Sequence, residues 1–124
     1  GWWNYEYCHG NHVLQYHKDQ QGKTIIYLGI WNMDVHREWA KKNPTRKSDD
    51  YVTHYYGNGE ICDVTGMART AQVRLRCMKS THLQEVSIYL LEPKPCEYIL
   101  GVDSPILCSL IKNADEDGIF PTTL

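Results

Sequence analysis

The sequence lacks three features, each of which would indicate a particular class of protein. Its five cysteines include no Cys-x-x-Cys pair, which argues against a zinc ribbon and a thioredoxin-type redox motif. Its 13 Lys and Arg and 15 Asp and Glu residues are scattered and give a net charge of −2, so no surface for nucleic acid is predicted. No apolar run is long enough to span a bilayer, so we predict no membrane insertion.

The composition is that of an ordinary globular domain, with 42% hydrophobic and 23% charged residues among 124. We predict a single domain over residues 1–124, with a core over about 2–114, a mobile loop over about 43–50 and a C-terminal tail over about 115–124. The chain opens on Gly-Trp-Trp without a visible signal peptide, and we interpret it as a mature or excised piece.

The cysteines lie singly in well-separated segments that have the composition of β-strands. Isolated cysteines in such segments are typical of disulfides between strands, which form in an oxidising compartment. An odd count leaves one cysteine over, and Cys8 is the outlier in position. We expect its partner to lie upstream of Gly1 or to be absent. The cysteines are Cys8, Cys62, Cys77, Cys96 and Cys108.

Short β-like segments separated by turn residues predict a mostly β domain, either an antiparallel sandwich or a flattened barrel. Asp34 is the predicted N-cap of one short helix that ends near Lys42, before Pro44. The clearest alternation places Ala71, Val73, Leu75 and Cys77 on one face of a strand. The main predicted strands cover residues 13–17, 24–31, 51–56, 71–77, 86–90, 96–100 and 106–111.

Four polar residues continue the apolar faces of predicted strands near the strand ends. Arg69 has the parity of Val73, and Glu92 has the parity of Ile88. Gln15 follows Val13 at a spacing of two, and Tyr98 lies between Cys96 and Leu100 at the same spacing. A buried unpaired charge is costly, so Arg69 and Glu92 should meet partners. Either they form a structural ion pair at the end of a barrel, or all four line a pocket there.

The pocket interpretation suits a sugar. The hydroxyl groups of a hexose both donate and accept hydrogen bonds, Arg69 offers planar donors, and Glu92 offers a pair of acceptors. Gln15 offers one of each, and the ring of Tyr98 can cover the C–H face of the sugar. Such a set contains no metal and no nucleophile.

Two chemical alternatives are weaker. His9, His12 and His17 are spaced so that they do not converge on one metal ion, and no cofactor is predicted. Glu92 with Asp63 or Glu6 would give a pair of carboxylates suited to glycoside hydrolysis. A Glu held against Arg69 would have a lowered pKa, which is unsuited to a general acid, so we predict that the protein is not an enzyme.

Four segments together resemble one known family. WWNYEYCHGNHVLQYH, YGNGEICD, ARTAQVRLRC and LEPKPCEYILGVDSPILC occur in the order and with the spacing of the mannose 6-phosphate receptor homology (MRH) domain, the P-type lectin fold. The resemblance covers residues 2 to about 114 and is strongest to the endoplasmic-reticulum lectins of glycoprotein quality control. It implies a flattened β-barrel of two antiparallel sheets with one short helix and disulfides.

The resemblance also implies the roles of particular residues. The four that form the mannose pocket of the family fall on Gln15, Arg69, Glu92 and Tyr98, and the tandem tryptophan that contacts further sugars falls on Trp2 and Trp3. The implied disulfides are Cys62–Cys96 and Cys77–Cys108. The family usually has six cysteines, and here the mate of Cys8 would precede Gly1.

The function implied by the resemblance is recognition of unphosphorylated terminal mannose on trimmed high-mannose N-glycans. The implied setting is the lumen of the endoplasmic reticulum, where such glycans mark misfolded glycoproteins for degradation. The implied partners are these glycoproteins and the membrane ubiquitin-ligase complex of that pathway with its adaptor. A protein-interaction domain of the same fold with a silent sugar site is the alternative.

Overall fold

Two β-sheets form the framework of this computed structural model, which describes residues 3–121. The chain forms β1 (Asn4–Cys8), β2 (His12–Asp19), β3 (Gly22–Ile30), α1 (Met33–Lys41), a 3₁₀ turn (Pro44–Arg46), β4 (Tyr51–Tyr56), β5 (Thr70–Cys77), β6 (Ser87–Lys94), β7 (Glu97–Ser104) and α2 (Leu107–Lys112). The first three strands form an antiparallel sheet in chain order, and the other four form a sheet in the order β4-β5-β7-β6.

The predicted fold is correct in class and wrong in two details. Among residues 3–121 neither sheet closes into a barrel, and the central pair β5 and β7 is parallel, from Thr70 beside Glu97 to Cys77 beside Ser104. The reason lies in β6, which pairs with β7 as an antiparallel neighbour and occupies the sheet edge. β7 is thereby enclosed between two strands, where side chains on both of its faces are largely buried.

The core lies between the two sheets, and the alternation on β5 predicts it well. Ala71 and Val73 are fully buried and Leu75 is 2% exposed, so the predicted inward face of this strand is confirmed. The smaller sheet contributes Val13 and Leu28 from the other side. The remaining buried members of the cluster are Val52, Tyr56, Tyr98, Leu100, Val102, Leu107, Ile111 and Phe120.

The helices differ from the prediction at two places. Asn32, not Asp34, caps α1, because its side-chain oxygen accepts a hydrogen bond of 3.1 Å from the Val35 backbone nitrogen. The segment predicted as a last strand over 106–111 is the helix α2, whose Leu107 and Ile111 lie one turn apart and are both buried. No helix within the described residues is long and apolar enough to cross a membrane.

The predicted inward face of β6 is confirmed only in part. Leu90 is partly buried and packs against the core, whereas Val86 and Ile88 are 48% and 63% exposed. β6 is an edge strand, and β3 of the smaller sheet contacts the larger sheet chiefly through β4 and β5. The smaller sheet therefore does not cover the whole length of β6.

The C-terminal segment 115–121, predicted as a tail, packs on the domain through two buried histidines. The Nε2 of His36 donates to the Asp117 carbonyl at 2.9 Å, and the Nε2 of His54 donates to the Gly118 carbonyl at 2.7 Å. Burial lowers the pKa of His36, and it lowers the pKa of His54 to about 4. The Nδ1 atom of His54 is buried without a partner among the described residues.

We therefore expect the domain to lose stability in acid. A histidine with a depressed folded pKa stabilises the fold fully above its unfolded pKa of 6.5, and this contribution is lost as the pH falls toward about 4. Lowering the pH from 7 to 5 should cost about 2 kcal/mol from His54 alone. Urea unfolding at several pH values checks this. The loss should shrink in His54→Gln and persist in His82→Gln, a change in an exposed loop; equal losses in both variants would contradict it.

Candidate functional site

Arg69 is held by the turn that precedes β5. Its backbone pairs with the segment before the turn, and its Nη1 atom donates to the carbonyl oxygens of Ile61 at 2.9 Å and Glu60 at 3.3 Å. The Nε atom is buried and has no hydrogen-bond partner among the described residues. A buried guanidinium donor without a partner is costly, which makes it ready to bind an acceptor from outside.

Tyr98 lies on the inward face of β7 and is 7% exposed. The pKa of Tyr98 is raised, mainly because the phenol is buried. The nearby guanidinium of Arg69 opposes this shift, and the carboxylate of Glu92 adds to it. Both charges therefore act on the same phenol. The structure brings together three of the four predicted pocket residues.

Glu92 reaches this place through an irregularity in β6 and not through the predicted strand phase. The pairing with β7 shifts between Leu91 and Lys94, and Glu92 stands within the shift. Its Oε2 atom accepts a hydrogen bond of 2.9 Å from the backbone nitrogen of Cys96. Within residues 3–121 no ion pair joins it to Arg69, so the structural ion pair considered above is not formed.

Gln15 approaches the same region from the smaller sheet. It lies opposite Tyr5 in the β1–β2 pairing, so the two side chains share a face. Tyr5 is 49% exposed, and its phenol is near enough to contribute to the raised pKa of Tyr98. Among the described residues no hydrogen bond joins the side chain of Gln15 to Arg69 or Glu92, and its role stays a prediction.

Of the tandem tryptophans, Trp3 is described and Trp2 lies outside the described residues. Trp3 is half-buried, and its ring meets the ring of His17 edge to face, with centroids 4.7 Å apart. Trp3, Tyr5 and Gln15 share one face, because Tyr5 follows Trp3 at a spacing of two and pairs with Gln15. The contact with further sugars that the resemblance implies for the tandem tryptophans stays a prediction.

Tyr5 was missed by the sequence reasoning. The signal was available, because Trp3, Tyr5 and Tyr7 recur at a spacing of two and carry rings along one face. Tyr7 packs at the core end of that face, with its ring 6.0 Å from the ring of Tyr56. Tyr5 sits between the core and Trp3.

Two disulfides are present, Cys62–Cys96 and Cys77–Cys108, and they are the pairs that the resemblance implies. The first joins the turn below Arg69 to the residue whose backbone nitrogen binds Glu92. Cys8 is free and exposed within the described chain. Its expected partner upstream of Gly1 stays a prediction.

The residues considered for other chemistry are placed elsewhere. Glu6 is next to Tyr5 on β1, so it faces the opposite side of the sheet, where its Oε2 lies 2.7 Å from the Nε2 of His12. It therefore cannot form a carboxylate pair with Glu92. Residues 3–121 contain no group of three or more His, Cys, Asp or Glu side chains placed to hold a metal ion.

Curated proteins similar to this chain include one that is named as a lectin. Endoplasmic reticulum lectin 1 of Homo sapiens is 48% identical over 96% of this chain and 27% of that protein. Protein OS-9 of Homo sapiens is 37% identical over 86% of this chain and 17% of that protein. The chain thus spans about a quarter or less of the length of these relatives.

Solved structures with the same fold are MRH domains. The MRH domain of Yos9 complexed with alpha3,alpha6-Man5 has a TM-score of 0.59 and 27% identity, covering 88% of this chain and 73% of that one. The MRH domain of glucosidase II beta bound to mannose has a TM-score of 0.54 and 25% identity, covering 87% and 85%. The model of the glucosidase II beta subunit-like family matches residues 1–62. The chain belongs to this family and is an MRH domain.

Proposed function

We propose that this domain is a lectin that binds terminal unphosphorylated mannose of trimmed high-mannose N-glycans. The proposal rests on the unsatisfied donor of Arg69. Its buried Nε atom has no hydrogen-bond partner among the described residues, and its guanidinium lies near Tyr98, as does the carboxylate of Glu92. A guanidinium that served structure alone would be paired with the nearby carboxylate. Here the Nη1 atom is fixed by two backbone carbonyls, and the Nε atom remains without an acceptor among the described residues.

The proposed roles follow from the donors and acceptors of each side chain. Arg69 donates to two adjacent sugar hydroxyls, and Glu92 accepts from one of them. Gln15 donates to and accepts from the next hydroxyl, while the ring of Tyr98 covers an apolar face of the sugar and its hydroxyl donates outward. Trp2 and Trp3 contact the following sugars. Glycoside hydrolysis requires a pair of carboxyl groups, and Glu92 is the one carboxylate among the proposed site residues, so binding without catalysis is proposed.

The related proteins support the setting of this activity. An MRH domain of Yos9 is complexed with a mannose oligosaccharide, and one of glucosidase II beta is bound to mannose. A relative that is 48% identical is named as a lectin of the endoplasmic reticulum. We therefore place this domain in the lumen of the endoplasmic reticulum, where it recognises misfolded glycoproteins and presents them to the membrane ubiquitin-ligase complex and its adaptor for degradation.

A glycan array tests the proposal. Arrays that carry high-mannose glycans with exposed terminal mannose, the same glycans capped with glucose, and mannose 6-phosphate glycans should show binding to the first class alone. Binding to none of them by a folded domain would favour the alternative, a protein-interaction domain with a silent site. Release of free mannose from an aryl mannoside would contradict the non-catalytic proposal.

Trp3→Ala is expected to weaken binding of an oligosaccharide and to leave binding of free mannose nearly unchanged. One shallow monosaccharide site should have a Kd in the millimolar range, which corresponds to a binding free energy of about −4 kcal/mol. Stacking of Trp3 on a further sugar should add roughly 1 kcal/mol for the longer ligand alone. Calorimetry with mannose and a mannose pentasaccharide measures both affinities. Equal loss for the two ligands would show that Trp3 is structural.

A further inference from the structure

A second concave surface lies on the outer face of the four-stranded sheet, away from the mannose site. It has a volume of about 450 Å³, within the range of ordinary ligand sites. Gln72, Arg74 and Arg76 project from β5 to this face, because Ala71, Val73 and Leu75 point to the core. We call it the Arg74 groove. Its other lining residues are Trp39, Asn43, Thr45, Arg46, Tyr51, Thr53, Tyr89 and Asp103.

The charges in the Arg74 groove are unbalanced. The Nη2 atom of Arg76 lies 2.7 Å from the Oδ2 atom of Asp103, so the carboxylate in the lining is already engaged. Arg46 donates to the backbone carbonyls of Asn43 and Glu116, and its Nη2 atom lies 3.9 Å from the Oδ1 atom of Asp117. Arg74 is exposed on the floor and makes no ion pair or side-chain hydrogen bond within the described chain. The groove therefore offers one guanidinium without a carboxylate partner, that of Arg74, although the whole chain is slightly acidic.

The two aromatic walls of the groove pack against neighbouring residues. The ring of Tyr89 lies directly over Gly101, and a Cβ atom at residue 101 would push the ring away from this position. On the other side Trp39 stacks on Tyr55, with ring centroids 5.3 Å apart and an interplanar angle of 9°. Rigid aromatic walls reduce the entropy lost when a ligand binds.

The shape and chemistry of the groove together favour an extended acidic peptide. Residues 72 to 76 of β5 span about 13 Å, the length of about four residues of extended chain. The alternate side chains of such a peptide repeat with the same period as Gln72, Arg74 and Arg76. A peptide carboxylate is favoured over a neutral ligand because it pairs with the guanidinium of Arg74, whereas the Asp103 carboxylate of the lining is engaged by Arg76.

We propose that the Arg74 groove binds an extended acidic peptide segment of a protein partner, with a carboxylate of the peptide paired to the planar fork of Arg74. The apolar side chains of the segment pack against Tyr89 and Trp39. This site is independent of the mannose site, and the domain can hold a glycan on one face and a peptide on the other.

An NMR titration tests the proposal with a ten-residue peptide of alternating Asp and Val and with its Asn counterpart. The acidic peptide should shift the amide signals of residues 72–76 and 101–103, and the Asn peptide should not. Arg74→Gln should weaken binding about tenfold or more, and Arg74→Lys should lie between, because it keeps the charge and loses the fork. Lys18→Gln, the same change in charge on the exposed β2–β3 hairpin, should have less than about a twofold effect.

Mannose affinity should be unchanged in Arg74→Gln, so failure of this proposal and failure of the mannose proposal are distinguishable. Four outcomes would overturn the peptide site: no binding of the acidic peptide at millimolar concentration, equal binding of the Asn peptide, wild-type affinity in Arg74→Gln, or shifts confined to other surfaces. Shifts of residues 72–76 by a mannose pentasaccharide would identify the groove as a glycan subsite instead.

Discussion

Arg69→Lys is expected to abolish detectable glycan binding in a domain that remains folded. Lysine keeps the positive charge, but a single ammonium cannot bond the carbonyls of Glu60 and Ile61 and two sugar hydroxyls at once. A mannose affinity that is already in the millimolar range falls below detection if it weakens about a hundredfold. The melting temperature should drop by only a few degrees, because the fold loses two backbone contacts at one turn.

Glu92→Gln should have the same effect on binding for a different reason. The amide retains the shape of the side chain and an oxygen that can accept from the Cys96 backbone nitrogen. It loses the charge that makes a carboxylate the stronger acceptor for a sugar hydroxyl donor. The turn around Cys96 should therefore remain intact while the affinity for mannose is lost.

Thermal melts and calorimetry on the same two variants distinguish a binding site from a structural pair. A structural pair would lose stability first, and binding would decline only as the domain unfolds. The absence of an ion pair between Arg69 and Glu92 within the described residues argues against that order of events. A folded variant with wild-type affinity would remove its residue from the proposed site. Glu97→Gln, on an exposed residue of the neighbouring strand, is the matched control for Glu92→Gln.

The face of a strand could be predicted from sequence wherever a second sheet covers that face. Alternation places Ala71, Val73 and Leu75 correctly, and it extends to Arg69 and Tyr98 because both flank covered stretches. The same rule fails on β6, where Ile88 and its neighbours are exposed. An alternation of apolar and polar residues at every second position identifies the two faces of a strand. It does not indicate whether the strand lies at the edge of its sheet.

Glu92 is correctly predicted to lie near Tyr98, although the strand phase used for that prediction does not apply to it. Its parity with Ile88 predicts an inward position, yet Ile88 is 63% exposed and Glu92 stands in a shift of register. What turns it toward Tyr98 is the local geometry between Leu91 and Lys94, which no periodic pattern describes. The family resemblance supplies the residue independently of strand phase.

The pairing of distant strands and the contacts of two buried histidines could not be predicted from the sequence. The parallel pairing of β5 with β7 depends on the whole path of the chain and not on local composition. The docking of segment 115–121 depends on His36 and His54, which donate to its carbonyls from about 80 and 64 residues away. The sequence does not distinguish these two histidines from exposed ones. Their hydrogen-bond partners are backbone carbonyl groups, which every residue type carries.

Removing the disulfide Cys62–Cys96 is expected to reduce both stability and mannose binding, whereas removing Cys77–Cys108 should reduce stability alone. The two bonds close loops of similar length, with sequence separations of 34 and 31. Constraint of the unfolded chain gives each about 3–4 kcal/mol at most. Each Ala pair should therefore lower the melting temperature by roughly 10–20 °C.

The difference between the two variants comes from what each bond joins. Cys62–Cys96 connects the turn whose carbonyls fix Arg69 to the residue whose backbone nitrogen fixes Glu92. Cys77–Cys108 joins the far end of β5 to α2, away from these contacts. Calorimetry with mannose at about 15 °C, where domains are generally near their greatest stability, separates affinity from folding. Equal affinities in the two folded variants would show that the first disulfide is not needed to position the side chains of Arg69 and Glu92 for mannose.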